Sequence, residues 1–366
     1  METYKTNDNE EIKYSYENCW KFIIRPPRDD YSLSELDFDF NQIQKPDFIY
    51  IRKDYSILSK QGYLMECSFF RADLSKREPY IRPVIIYLHG NSSSRVEGKR
   101  MASMLLNKGF DLFVFDFPGC GKSEGEYISL GFHEKEDVNV IVNFVEKFPG
   151  VGNIGIWGRS MGAATALMYS HTDRRIKAMC VDSPFAVFKD LAIKLCRKYM
   201  TIPEFIINTI LFFLKKTIKK KNDLDLEELK PIDSAELSKT PAFFIHAMKD
   251  DLIPYEHTIQ IYEKYAGIKS INIVEGGHNT PRQKHLLNKV INFFSKYLSE
   301  NYKEANNEIE DDLEDEEYEE ESDKENDNFS NATYNTINTN IFSEELFFIK
   351  IICYYVIYIH ILKILF

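Results

Sequence analysis

The sequence predicts an α/β fold: a mostly parallel, doubly wound sheet of about eight strands, with a helical cap inserted between late strands. Three observations predict it. Short apolar runs of strand length alternate with helical patterns over more than 200 residues. The runs are nearly continuous rather than alternating, as expected for strands covered on both faces. One interval, 183–240, separates two strands by far more chain than a single crossover needs.

The elements follow in order. Residues 1–45 are polar, except that Phe22-Ile23-Ile24 runs into the basic turn Arg25-Pro26-Pro27-Arg28. We read this segment as a strap packed on the body. The body proper is expected over 46–300. Phe48–Arg52 and Tyr63–Phe70 read as a hairpin. Strands are then expected at 83–88, 110–115, 153–157, 176–181, 242–246 and 270–274, with helices at about 95–108, 133–148, 161–171, 255–265 and 281–299. Inside 183–240, Thr201-Ile202-Pro203-Glu204 reads as a capping box with proline in the first turn. A strongly apolar helix follows and ends in Lys215-Lys216 and Lys219-Lys220-Lys221. This segment is expected to cap the carboxyl edge of the sheet, as a buried helix, an acyl-chain groove or a contact with anionic lipid.

Charge is distributed unevenly. The chain of 366 residues carries a net charge of −11, but residues 301–330 hold fifteen acidic and two basic side chains, while the first 300 residues hold 42 basic against 40 acidic. The acidity belongs to an acidic and Asn-rich linker, 301–345, expected to be disordered. The body carries no basic field of the kind that binds nucleic acid. The six scattered cysteines form no C-x-x-C pair, so free thiols in a reducing compartment are expected. No secretory leader is visible, which gives a cytoplasmic expectation. The hydrophobic tail, Leu346–Phe366, is about long enough to anchor in a bilayer and is interrupted by Lys350 and Lys363. It also has the composition of translated A/T-rich sequence, and both readings stand.

The sharpest local signal is Gly158-Arg159-Ser160-Met161-Gly162, between the apolar strand Ile154–Trp157 and the helix-forming run Ala163–Leu167. In a strand–turn–helix setting this pattern is a nucleophile elbow. Its glycines let neighbouring backbone approach, and its helix N-terminus directs N–H groups to the place where an oxyanion would form. A serine nucleophile needs a base, and the base needs an orienting acid. Among eight histidines, His278 closes the strand run Ile271–Val274 through Gly276-Gly277. Asp250 follows the strand run Phe243–Ala247, with its neighbour Asp251 and the earlier Asp182 as alternatives. His89-Gly90-Asn91 ends an apolar strand. Its turn can place the Asn91 N–H opposite that of Met161 as an oxyanion hole, or be an ordinary tight turn.

These segments, with Asp116-Phe117-Pro118-Gly119-Cys120-Gly121-Lys122-Ser123, resemble the alpha/beta-hydrolase superfamily over about residues 46–298. The closer resemblance is to its branch of protein depalmitoylase-like and serine-aminopeptidase-like hydrolases. That resemblance implies an alpha/beta-hydrolase fold and a serine hydrolase acting on acyl esters or thioesters, including palmitoylated proteins. Monoacylglycerol or lysophospholipid lipase, serine peptidase and an inactive binding protein on the same fold are the alternatives. Two features differ from the branch: Cys19 is the one cysteine near the N-terminus, and the cap is longer and more apolar. No cofactor is implied, and no H-E-x-x-H or EF-hand pattern points to a metal. Gly121-Lys122-Ser123 imitates the end of a phosphate loop, but Asp116 stands where that motif requires glycine. The expected partners are therefore an acyl ester or acylated protein, with a membrane surface as a further one. The sequence does not indicate an oligomeric state.

Overall fold

The computed structural model describes residues 16–43, 49–73, 81–199 and 203–299. The linker at 301–345 and the tail at 346–366 lie outside the described residues, as do the first fifteen.

The described strands form one eight-stranded sheet in the order β1-β2-β4-β3-β5-β6-β7-β8. β1 (Tyr50–Leu58) and β2 (Leu64–Ala72) are an antiparallel hairpin, and β2 pairs antiparallel with β4 (Asp111–Phe115). β3 (Arg82–Leu88), β5 (Val151–Arg159), β6 (Ile176–Asp182), β7 (Ala242–Ala247) and β8 (Lys269–Val274) complete a parallel set with β4. This is the mixed, mostly parallel sheet that the apolar runs predict.

Why those runs are continuous is visible in β3. Val84, Ile86 and Leu88 enter the core on one face, while Ile85 and Tyr87 enter the core on the other. A strand alternates its side chains, so a strand buried on both faces has no polar positions to spare. The first face is covered by α4 (Glu134–Val145), α5 (Met161–Ser170) and α9 (Glu256–Lys264). The second is covered by α3 (Ala102–Asn107) and α10 (Lys284–Leu298). Every residue of α5 is buried, as for a helix that is apolar all round.

The described part of the N-terminal segment contains α1 (Tyr16–Ile24), which contacts α7 (Glu204–Asn222). Phe22-Ile23-Ile24 is the end of that helix, and Cys19, Trp20 and Ile24 are buried. Between β6 and β7 the chain forms α6 (Phe188–Tyr199), α7, a 3-10 turn (Leu226–Glu228) and α8 (Pro231–Ala235).

Three local expectations are corrected. The helix read over 95–108 is two, α2 (Arg95–Lys99) and α3. Gly98 lies against the Tyr87 ring, where a Cβ would collide, and the chain tightens into Arg100 N–H to Glu97 C=O and Met101 N–H to Gly98 C=O bonds before α3 begins. β1 starts at Tyr50 and runs to Leu58, because as an edge strand it tolerates the polar Lys53, Asp54 and Ser56 that obscured it. Pro203 is the residue before α7 and not in its first turn; Thr201 lies outside the described residues.

Candidate active site

The register aligns the strand ends that carry the candidate residues. Leu88 pairs with Gly158, Arg159 with Asp182, Asp182 with Ile245, and Ala247 with Val274. Each chain therefore leaves its strand at the same edge of the sheet, where parallel α/β folds hold their ligands. The turn after β3, the elbow after β5, the Asp250 turn after β7 and the His278 turn after β8 all meet there.

Ser160 sits between β5 and α5 with φ 53° and ψ −114°. A non-glycine residue held at positive φ is strained and persists where its surroundings fix it. Here they do so: the Ser160 N–H donates to the Asp182 carbonyl at 2.8 Å, and its own carbonyl accepts the Ala164 N–H at 3.0 Å. The flanking glycines are steric necessities. A Cβ on Gly162 would run into the Leu88 carbonyl, and one on Gly158 into the Gly162 carbonyl.

The structure brings Ser160, His278 and Asp250 into one hydrogen-bonded chain. Ser160 Oγ lies 3.1 Å from His278 Nε2, and His278 Nδ1 lies 2.6 Å from Asp250 Oδ2. With the Nδ1 hydrogen donated to the carboxylate, Nε2 is left to accept the serine hydroxyl proton. Asp250 Oδ1 meanwhile accepts the N–H groups of Leu252 and Ile253 at 3.0 and 2.7 Å. Burial alone would raise the Asp250 carboxyl, but hydrogen bonds from His246 and His278 override it and hold the group well below the usual carboxylate range.

The alternative acids are placed elsewhere. Asp251 is exposed. Asp182 is buried, but Arg282 Nε and Nη2 occupy its two oxygens at 3.0 and 2.8 Å. Of the other histidines, His133 bonds the Asn222 carbonyl and His257 accepts from Ala186 N–H. His89 accepts the Phe117 N–H through Nε2 at 3.1 Å, which ties the β3 turn to the turn after β4.

Asn91 and Met161 border the same cavity as Ser160. Met161 is the first residue of α5, so its N–H has no acceptor within the helix. Asn91 Oδ1 is buried with no hydrogen-bond partner among the described residues. The cavity, about 160 Å³, is bounded by Ser160 on one side and by Leu191, Leu195, Ile207, Ile210 and Leu214 of α6 and α7 on the other. None of its lining residues among those described carries a charge.

Sequence reasoning missed three polar supports. His246 is fully buried, with Nε2 at 2.7 Å from the Ile253 carbonyl and 3.2 Å from Asp250 Oδ2, and Nδ1 at 2.6 Å from Thr258 Oγ1. Both neighbours of Nε2 are acceptors, so that nitrogen carries hydrogen and serves the same carboxylate as His278. Arg159 donates from Nη1 to Glu97 Oε1 at 3.1 Å, and from Nη2 to the His278 carbonyl at 3.0 Å and Asn279 Oδ1 at 2.7 Å. Glu97 Oε2 accepts the Gly90 N–H at 3.1 Å. One ion pair thus links the turn bearing Asn91 to the turn bearing His278. Burial alone would raise Glu97, but the Arg159 charge and the bonds it accepts bring it down to about 2. The third support is Arg282, which fixes the far side of the His278 turn to Asp182.

Gly121-Lys122-Ser123 forms a turn around Asp116, whose carboxylate accepts Lys122 N–H, Arg95 N–H and Tyr31 O–H. A Cβ on Gly121 would strike that carboxylate. Cys120 is buried, and burial pushes its thiol well above the ordinary value. Among the described residues, no group of three or more His, Cys, Asp or Glu side chains is placed to hold a metal ion.

This sheet, with a serine at a strained strand–helix elbow, defines an alpha/beta hydrolase. The family model described as alpha/beta hydrolase fold matches residues 83–202. The chain is 30% identical over 224 residues to the uncharacterized protein YqkD of Bacillus subtilis, a match covering 59% of this chain and 72% of that protein, and the chain therefore belongs to the alpha/beta-hydrolase family. It is similar to the lysophosphatidylserine lipase ABHD12 of Danio rerio, at 26% identity over 52% of this chain and 49% of the lipase. The chain thus spans about half the length of that relative. Among solved structures it is similar to the Pyrococcus furiosus esterase Pf2001, with a TM-score of 0.54 and 22% identity, covering 75% of this chain and 100% of the esterase. Its relatives thus include an esterase and a lysophosphatidylserine lipase.

Proposed function

We propose that the protein is a serine hydrolase that cleaves single-chain acyl esters, with Ser160 as nucleophile, His278 as base and Asp250 as the acid that orients it. The observation that carries this reading is the juxtaposition of the Ser160–His278–Asp250 chain with an apolar, uncharged cavity. His278 Nε2 takes the Ser160 proton as Oγ attacks the acyl carbonyl. The developing oxyanion is held by the N–H groups of Asn91 and Met161, each such donor contributing about 3 kcal/mol to the transition state. His278 then protonates the leaving alcohol or thiol, and as base again it activates the water that frees the acyl group. Asp250, with two backbone N–H groups on one oxygen and His246 on the other, stays ionised and stabilises the imidazolium.

The uncharged cavity favours an acyl chain over a peptide, whose free amine would need a carboxylate partner. The similarity to a lysophospholipid lipase favours an oxygen ester of a lipid. The apolar lining fits a protein-bound palmitoyl thioester equally, because in both substrates the chain enters the cavity and the leaving group stays outside.

The test is fluorophosphonate labelling followed by a panel of lysophospholipid, monoacylglycerol, palmitoyl-thioester and peptide substrates. Ser160→Ala is expected to lose labelling and at least about 10⁴-fold in turnover while retaining its fold. Labelling that persists in Ser160→Ala would refute the nucleophile. Peptide turnover exceeding ester turnover would refute the substrate class.

A further inference from the structure

Helix α7 has two apolar faces, although a helix roofing one cavity needs only one. Its inner face carries Ile207, Ile210, Leu214 and Ile218, all buried, and the first three border the cavity at Ser160. Its outer face carries Phe205, Phe212 and Phe213, which are 71%, 51% and 41% exposed. Positions 205, 209, 212, 216 and 220 follow a helical spacing of three and four, so Phe205 and Phe212 share one stripe with Lys216 and Lys220, and Phe213 borders it. The Phe212 and Phe213 rings meet edge to face at 5.5 Å, and Lys216 Nζ lies 4.4 Å above the Phe212 ring. The last turn adds Lys219, which also pairs with Asp225 at 3.3 Å, whereas Lys221 lies over the Trp20 ring of α1 at 4.1 Å.

Three large aromatics on one solvent-facing side are costly in water. A stripe of phenylalanines with lysines along its polar margin is the pattern of a helix lying in a membrane interface, with aromatics among the acyl chains and ammonium groups at the headgroups. At 19 residues α7 is about 28 Å long. Among the described residues no helix is long and apolar enough to cross a membrane, so α7 would lie in the plane of the surface.

We infer that α7 docks the protein on an anionic phospholipid bilayer through Phe205, Phe212, Phe213 and the lysines 216, 219 and 220, and that the same helix receives the substrate's acyl chain on its inner face. For the identity of the substrate this rests on the acyl-ester reading; the docking does not. Charge complementarity selects the anionic surface, since each lysine near such a membrane adds to binding. Placing the roof of the cavity in the interface shortens the path of an acyl chain from bilayer to Ser160, so the chain need not cross water.

The experiment uses the full chain carrying Phe212→Trp. Trp20 and Trp157 are 5% and 3% exposed, so the new indole reports on the outer face. With phosphatidylcholine vesicles containing phosphatidylserine, its emission is expected to shift to the blue, to be quenched by brominated acyl chains and to become protected from acrylamide. Replacing Lys216, Lys219 and Lys220 by Gln should weaken partitioning to anionic vesicles at least about tenfold. Pure phosphatidylcholine should give little response. An indole equally open to acrylamide with and without anionic vesicles overturns the inference, including when the chain sediments with them through another segment. Loss of ester hydrolysis with docking retained would instead count against the catalytic reading.

Discussion

The carboxyl edge of the sheet and the inserted helices α6 and α7 meet at Ser160, yet they are held by opposite kinds of interaction. At the sheet edge every turn is fixed by directional polar contacts. Asp250 receives four bonds, Arg159 bridges Glu97 and the His278 turn, and Arg282 closes on Asp182. The inserted helices present aliphatic side chains whose contacts are non-directional. Directional contacts hold reacting atoms to fractions of an ångström. Apolar contacts fix a volume and tolerate many side-chain combinations. The first region should therefore govern rate, and the second choice of substrate.

The largest effect should come from the most heavily bonded group. Asp250→Asn keeps the shape of the side chain but presents an N–H where an acceptor is required, so it fixes His278 in the wrong tautomer. Turnover of a short-chain ester is expected to fall about 10³- to 10⁴-fold, with the circular-dichroism spectrum unchanged. A loss below tenfold would remove Asp250 from the chain. Next is the ion pair between turns. Arg159→Lys retains charge but cannot reach Glu97, the His278 carbonyl and Asn279 together. It should lower kcat about 10- to 100-fold with KM nearly unchanged, since loosened catalytic turns cost rate before binding. Glu97→Gln should resemble it, and the double variant should lose less than the product of the two, measured as a double-mutant cycle. If KM rises and kcat holds, the pair acts on binding.

The contrast inverts at the cavity. Leu211→Trp, on the half-buried margin of the lining, should cut kcat/KM for long-chain esters about tenfold or more while leaving short-chain esters nearly unchanged. Equal losses across chain lengths would mean that α7 does not contact the acyl chain.

The same division explains what could be read from the sequence. Ser160 and His278 were legible because each is tied to the end of a strand by glycines whose placement is a steric requirement, and the strands announce themselves by apolar runs. The choice among Asp182, Asp250 and Asp251 was not settled, because it depends on Arg282, which lies 100 residues beyond Asp182 in the chain. Arg159 and Glu97 look like ordinary charged positions until the fold closes a gap of 62 residues between them. His246 reads as part of a strand, and its service to Asp250 depends on the tight turn after β7. In the inserted region the apolar character of α7 was plain, but not which of its faces lines the cavity, since packing against α1 and α6 decides that.

An effect on stability rather than on turnover tests the seam between the two regions. His257 on α9 accepts the Ala186 N–H at 3.3 Å, just where the chain leaves β6 for the inserted helices. Burial, reinforced by Lys194 and His246, lowers this imidazole from 6.5 to about 4. The unfolded chain therefore binds a proton near pH 6.5 that the folded chain refuses until about pH 4. The stability associated with a neutral His257 is complete above pH 6.5 and is lost as pH falls toward 4, by about 3 kcal/mol in all. Asp137 works in the opposite direction. Burial and Glu134 push it up to about 7, so it favours folding increasingly as pH falls through the same window. The whole protein can thus show a flat pH profile while both groups titrate. The difference between wild type and His257→Gln isolates one of them: in urea unfolding, the variant should gain about 3 kcal/mol on wild type between pH 6.5 and pH 4. A constant difference across that range would mean that His257 is protonated in the folded protein and that the Ala186 bond does not anchor the inserted helices.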